Sequence, residues 1–225
     1  MASVDRAVSI EDLRRLAMRR LPRFVGDYLD GGAGDGGGVR RNVDAFRKYR
    51  LVPRAMIEAT PLDTSVELFG RQYASLFGIS AVGLAGIYRR HADEFLAEAA
   101  RAANIPFILS GASTASVETV CRIAPEHTWY QLYGAHRPEV TETMMAQARD
   151  AGVQVLVYTV DYPLAPRSEV AARTGVSMAT GPTWRTFPRL CLDALRHPFW
   201  SAEYLRGGGL PKLESWAVHA VPPGQ

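Results

Sequence analysis

Cysteine is nearly absent from this 225-residue chain, which has only Cys121 and Cys191. Two thiols in so long a chain form no disulfide framework, and their spacing matches no metal-binding pattern. A reducing, cytoplasmic setting is therefore expected. Long apolar runs are missing too. No uninterrupted stretch approaches the roughly 20 residues of a membrane-spanning helix. The opening MASVDRAVSIEDLRRL lacks the apolar centre and small-residue cleavage site of a secretory leader. The expectation is a soluble protein, or one peripheral to the inner face of a membrane. An excess of one charge sign is also lacking: 26 basic against 23 acidic side chains leave a net charge of +3. Nucleic-acid binding calls for a basic stripe with stacking aromatics, and no such partner is expected. What the chain has in quantity is apolar residues, at 47%, enough for a sizeable core.

The pattern along the chain changes twice. Ser9, followed by Glu11 and Asp12, opens a helix with Leu13, Leu16 and Ala17 on one face. Pro22 suits the first turn of a second helix over 22–29, which the glycines from Gly31 onward end. This glycine cluster is no phosphate loop, since no strand precedes it and no GK[ST] ending follows. From Val66 to Ala74 a hairpin turning at Gly70 is predicted. Strands are then expected over 75–79, 106–109, 129–132 and 153–159, alternating with helices over 93–104, 116–123 and 138–151. Such alternation implies parallel strands joined by helices. Ser110, Gln131, Tyr133, Thr159 and Asp161 fall at strand C-termini. A (β/α)8 barrel places its site there, and so does a doubly wound sheet; the pattern does not separate the two. Beyond Asp161 the alternation stops, and eight of the 14 prolines fall within 162–225. Helical patches are expected there over 188–196 and 201–206.

Five phrases in order carry a family likeness: LPRFVGDYLDGGAG, RRNVDAFRKYRLVPR, IPFILSGASTASVE, WYQLY and LVYTVDYP. The stretch from about Ser9 to about Trp216 resembles the N-terminal half of the FMN-dependent α-hydroxy-acid oxidases and dehydrogenases, the family of L-lactate dehydrogenase, glycolate oxidase and mandelate dehydrogenase. The resemblance implies an α/β fold, with N-terminal helices followed by the first half of a (β/α)8 TIM barrel, truncated. It divides the chain into a helical extension over 1–65, four β/α units over 66–161 and an incomplete loop and tail over 162–225. It also implies FMN as cofactor, a small lactate-like L-2-hydroxy acid as substrate, a 2-keto acid as product and, for a complete protein, a homo-oligomer.

The site residues follow from the same likeness. Tyr28 matches a tyrosine that hydrogen-bonds the substrate carboxylate, a task for one directional donor without added charge. Ala81, Val82 and Gly83 match a turn along the flavin, with Ala81 where the family often has proline. Ser110, Gln131 and Thr159 match residues on the polar edge of the isoalloxazine ring, each at a strand end. Tyr133 matches a tyrosine near the substrate hydroxyl. Asp161 matches the aspartate that orients the catalytic histidine and stabilises its imidazolium. Ala112 stands where some family oxidases carry tryptophan, which leaves room for a side chain larger than glycolate's.

The likeness also has gaps. Direct alignment puts Ser168 where the family has a carboxylate-binding arginine, and Arg167 lies one residue early. The family's lysine, its Ser-Asn-His-Gly-Gly-Arg segment and its late phosphate-binding loops have no counterpart, and none of the five histidines has the His-Gly-Gly context. The chain alone is thus expected to be inactive and to bind FMN weakly. The alternative is a non-catalytic remnant that docks on a membrane or a partner. The stretch 182–210 suggests it, because it mixes Trp184, Phe187, Phe199, Trp200 and Tyr204 with four arginines.

Overall fold

The computed structural model describes residues 4–58, 60, 62–135, 137–160, 168–174 and 184–214, except the side chains of 171 and 174. In chain order the helices α1 (Ile10–Arg20), α2 (Arg23–Asp30) and α3 (Gly37–Ala45) come first. Strands β1 (Val66–Leu68) and β2 (Arg71–Tyr73) follow. Next come α4 (Ala85–Tyr88), α5 (Ala92–Ala103), β3 (Phe107–Leu109), α6 (Val117–Ile123), β4 (Thr128–Tyr133), α7 (Pro138–Asp150) and β5 (Leu156–Thr159). Helices α8 (Glu169–Thr174), α9 (Phe187–Leu195) and α10 (Pro198–Arg206) complete the order. The chain forms two compact units, one of Met1–Ile57 with Ala165–Gly209, the other of Glu58–Leu164 with Leu210–Gln225.

The first unit is helical, and α1 is capped by a side chain. Ser9 Oγ accepts from the Asp12 N–H at 3.1 Å, as its position before an apolar-periodic run predicts. Helix α2 has no cap of its own and borrows one, since Asp193 of α9 accepts the Phe24 N–H at 3.3 Å. Its apolar face meets α10: Phe24 stands edge-on to Trp200, centroids 5.9 Å apart, and Trp200 packs on Tyr204. Trp200 and Tyr204 are buried, as are Leu21 and Val25. Arg20 and Glu203 close the contact at 3.0 Å. Two of the five aromatics in the 182–210 stretch are therefore core residues, one helical turn apart. Helix α3, absent from the sequence expectation, starts at the glycine cluster, with Gly36 left-handed at its N-cap and Asp35 accepting the Gly37 N–H.

The second unit carries the sheet. Strands β1 and β2 pair antiparallel through a two-residue turn in which Phe69 and Gly70 both have positive φ, the geometry that matches strand twist. Strands β3, β4 and β5 form a parallel sheet in that order, with Leu109 opposite Tyr130 and Leu132 opposite Tyr158. Alternation sends Phe107, Leu109, Tyr130 and Leu132 to one face, where Ala97, Ala100, Val120, Met144 and Ala148 of α5, α6 and α7 cover them. This is the core. The opposite face carries Gln131, Val157 and Thr159.

The strand expected over 75–79 is reduced to one parallel bridge, Ile79 with Phe107. Ile79 donates to the Pro106 carbonyl at 2.8 Å and accepts from Ile108 at 2.9 Å. Extending the ladder backward needs an N–H at position 106, and proline has none. Among the described residues the sheet thus has three strands and a bridging residue, and it does not close.

At the N-terminal end of the sheet, His127 is buried between Arg71 at 3.2 Å and Asn104 at 3.1 Å. Burial first, and then the Arg71 charge, hold its pKa below the usual histidine value of 6.5. The unfolded chain therefore takes up the proton first. His127 contributes stability above pH 6.5 that is lost as pH falls through its depressed pKa. His127→Gln is expected to flatten the decline of the urea midpoint between about pH 7 and pH 5. A variant with the parent's slope would exclude this origin.

Candidate functional site

Three strands ending in polar residues make a row on the sheet's open face. Ser110 follows β3, Gln131 lies in β4 and Thr159 ends β5. The Gln131 amide links all three. Its Nε2 donates to Thr159 Oγ1 at 2.8 Å, and its Oε1 accepts from Ser110 Oγ at 3.3 Å and from the Gly111 N–H at 3.0 Å. Ser110 and Gln131 are buried, and Thr159 is half-buried. The register explains the meeting, because Gln131 sits opposite Val157, two residues before Thr159 and on the same face. Among the described residues neither the second Gln131 N–H nor the Thr159 hydroxyl proton is donated to a protein acceptor.

Gly111 is required by proximity. A Cβ there would lie 2.6 Å from the Gln131 carbonyl oxygen. Glycine lets the backbone pass close enough for its N–H to reach the Gln131 side chain.

The turn of Ala81, Val82 and Gly83 lies against this row. The next residue, Leu84, donates its N–H to the Ala112 carbonyl at 2.9 Å. A Cβ on Gly83 would sit 3.6 Å from Ala112 Cβ and 3.8 Å from Ser110 Oγ. Tyr133 is half-buried, two residues beyond Gln131 and in register with Thr159, so it shares their face. The structure thus gathers Ala81, Val82, Gly83, Ser110, Gln131, Tyr133 and Thr159 in one region. Tyr28 belongs to the other unit, on α2, and is 42% exposed. Asp161 and Arg167 lie outside the described residues.

A second polar cluster went unnoticed in the sequence. Asp93 in the first turn of α5 is 2% exposed and accepts from Ser113 Oγ at 2.9 Å and Thr114 Oγ1 at 3.1 Å. Burial raises its pKa, and the two hydroxyls work against that rise. In the sequence, Asp93 reads only as an acid at a helix start. The one available signal was the dense run of small hydroxyl residues, Ser113-Thr114-Ala115-Ser116. Cys121 is no nucleophile, since burial pushes its thiol up to about 11. Among the described residues no group of three His, Cys, Asp or Glu is placed to hold a metal ion.

Comparison with known proteins adds the following. The sequence profile of the FMN-dependent dehydrogenases matches residues 17–221. The (S)-mandelate dehydrogenase of Pseudomonas putida is 34% identical over 210 residues, covering 92% of this chain and 51% of that protein. An L-lactate dehydrogenase of Alcaligenes faecalis is 36% identical over 193 residues, covering 86% of this chain and 50% of that protein. The crystal structure of the monotopic membrane protein (S)-mandelate dehydrogenase superimposes with a TM-score of 0.85 at 32% identity, covering 94% of this chain and 55% of that one. The chain spans about half the length of the curated relatives it matches.

Replacing Gln131 with leucine keeps the bulk of the side chain and leaves the buried Gly111 N–H without its acceptor. Chemical denaturation is expected to show a loss of about 1–3 kcal/mol. A change within error of zero would mean that another acceptor takes over.

Proposed function

This chain belongs to the FMN-dependent dehydrogenase family, and we propose that it supplies one flank of the flavin and substrate site of an enzyme that oxidises a small L-2-hydroxy acid to the 2-keto acid. The supporting observation is the pair of unspent donors at the strand ends, on Gln131 and Thr159, held in one row with Ser110. The polar edge of an isoalloxazine ring presents carbonyl oxygens and ring nitrogens in one plane, and a row of fixed donors and acceptors suits it. Bound FMN would supply the acceptor for the hydride from the substrate's α-carbon.

The chain's own residues bind and orient. Ser110, Gln131 and Thr159 hold the ring edge, and the backbone of Ala81, Val82 and Gly83 lines its flank. Tyr133 hydrogen-bonds the substrate hydroxyl, and Tyr28 with Arg167 receives the carboxylate. Asp161 orients a histidine base. The hydroxyl proton must pass to a base within hydrogen-bond reach. Of the described histidines, His127 precedes β4 at the far end of the sheet, and His91 pairs with Glu94 on α5 at 3.0 Å. His197 belongs to the other unit, bonded to the Asp193 carbonyl. None of these three stands at the strand ends, and no histidine of the sequence has the family's His-Gly-Gly context, so the base is assigned outside these residues and no turnover is expected of the 225-residue chain by itself.

The test is titration of the purified chain with FMN, followed by fluorescence, and then dye reduction with L-lactate and (S)-mandelate. Weak but saturable binding is expected. Thr159→Val, which loses one donor, should weaken it by about tenfold, and no dye should be reduced. Absence of saturable binding, or equal affinity in the variant, would refute the flavin assignment. Substrate-dependent dye reduction would refute the assignment of the base elsewhere.

The surface of α9 and α10 favours peripheral membrane attachment as a second element of function. Trp184, Phe187, Leu195, Phe199 and Leu205 are all more than half exposed, at 80%, 56%, 74%, 69% and 80%. Arg185, Arg189, Arg196 and Arg206 are interspersed with them, which suits an anionic lipid interface. No helix among the described residues is long and apolar enough to cross a membrane. In liposome flotation with anionic vesicles the chain is expected to float. Serine at 184, 187 and 199 should leave it at the bottom of the gradient. Flotation of that triple variant would rule out these side chains as the anchor.

A further inference from the structure

We infer that Asp93 is a positioning residue of the candidate flavin site, acting through Ser113 and Thr114 to lock the loop after β3 against the segment that leads into α4. Calling the site a flavin site rests on the proposed function; the mechanical role rests on geometry alone.

The loop over 110–115 carries Ser110, the Gly111 N–H that Gln131 accepts, and the Ala112 carbonyl that receives Leu84. The Gln131 side chain and the backbone hold it at that end. At the other end both loop hydroxyls converge on Asp93 Oδ2, at 2.9 and 3.1 Å. Each hydroxyl oxygen also takes a backbone N–H. Ser113 Oγ also accepts the Ala115 N–H at 2.9 Å, and Thr114 Oγ1 accepts the Gly86 N–H at 2.9 Å. An oxygen that accepts from a backbone N–H still has its own proton to give: Thr114 gives it to the carboxylate, and Ser113 shares it between Asp93 Oδ2 and the Ala115 carbonyl at 3.0 Å. The chain of contacts therefore runs from Asp93 through Thr114 to Gly86, three residues beyond Gly83. It also runs through Ser113 to the loop that bears Ser110 and Gly111.

Contact at Gly86 is close. A Cβ there would meet Thr114 Oγ1 at 2.2 Å, so α4 and the loop touch backbone to side chain. The carboxylate itself is buried with no cation paired to it among the described residues. The carboxyl group is held by the two hydroxyls and by the backbone N–H of Thr114. Burying an acid in this way opposes folding. A packing role alone would be met by an apolar side chain at lower cost. What the carboxylate provides is several acceptor sites in one place.

Amide hydrogen exchange of the full chain, without added flavin, tests the mechanical claim. In Asp93→Ala the amides of Leu84, Gly86, Gly111 and Ala115 are expected to exchange faster by about tenfold. Tyr130, Met144 and Ala148, which lie in the core away from this loop, should be unchanged. Asp93→Asn, which keeps one acceptor oxygen, should restore most of the protection. If Asp93→Ala does not fold, Thr114→Val leaves the carboxylate in place and breaks the relay to Gly86, and the same rise must appear at Leu84 and Gly86. A uniform rise across reporters and core, or no rise at the reporters, overturns the inference. FMN titration of the same proteins separates the two layers. If the parent binds and Asp93→Ala binds about tenfold more weakly, Asp93 positions the flavin site. If the parent binds and the variant is unaffected, the flavin part of the inference falls. If the parent does not bind, the proposed function falls, and the exchange pattern alone decides what Asp93 holds.

Discussion

A buried backbone N–H must find an acceptor, and at the C-terminal edge of this sheet the Gln131 side chain provides it. The peptide at Gly111 lies just beyond the end of β3. Gln131 reaches across from β4, accepts that N–H, and with its other end ties down Thr159 on β5. One amide thus holds the tips of three strands in register. The arrangement needs glycine at 111, because any side chain would strike the Gln131 carbonyl. It also needs this register, because with Gln131 opposite Val157 the residue after Val157 but one, Thr159, shares the face of Gln131. The site and the sheet edge are stabilised by the same bonds, so the residues that offer donors outward cannot drift apart.

A second tier stands behind this one. Asp93 fixes the loop that carries Ser110 and Gly111, and through Gly86 the segment that follows Gly83. The two tiers use different physics. Gln131 is neutral and satisfies donors at little electrostatic cost, whereas Asp93 is an acid held in the interior with its pKa raised. Such a group is kept in an interior where several donors converge on one oxygen.

The helical unit is organised on a simpler constraint, the disposal of aromatic surface. Trp200 and Tyr204 turn inward, Trp200 onto Phe24, while Trp184, Phe187 and Phe199 remain on the outside. Large exposed apolar groups on a folded surface mark a place of contact. The split between inward and outward aromatics follows helical period: residues 200 and 204 are four apart and share a face, and residue 199 lies off it.

Much of this was legible in the residues. Apolar alternation located β3, β4, β5 and their covering helices to within a few positions, because a strand covered on one face and a helix packed on a sheet each write their period into the sequence. Ser9 and Ser116 marked helix starts through local bonds to amides three residues on. Gly70 marked the hairpin, since that turn demands positive φ. Ser110, Gln131 and Thr159 were visible as polar residues at strand ends, and the order of five short phrases identified the family. The sequence did not disclose that the strand before β3 shrinks to Ile79, because the missing N–H of Pro106 matters only once the two segments are paired. It did not disclose α3, whose glycine-rich start reads as a loop. Nor did it distinguish Trp200 from Trp184, or Asp93 from any other acid at a helix start. Local sequence determines what an element can be, through propensity, period and capping. Which donors remain unspent, which acid is buried and which aromatic faces inward depend on groups tens of residues away, such as Asp93 and Thr114 or Phe24 and Trp200, and only the packed chain brings those together.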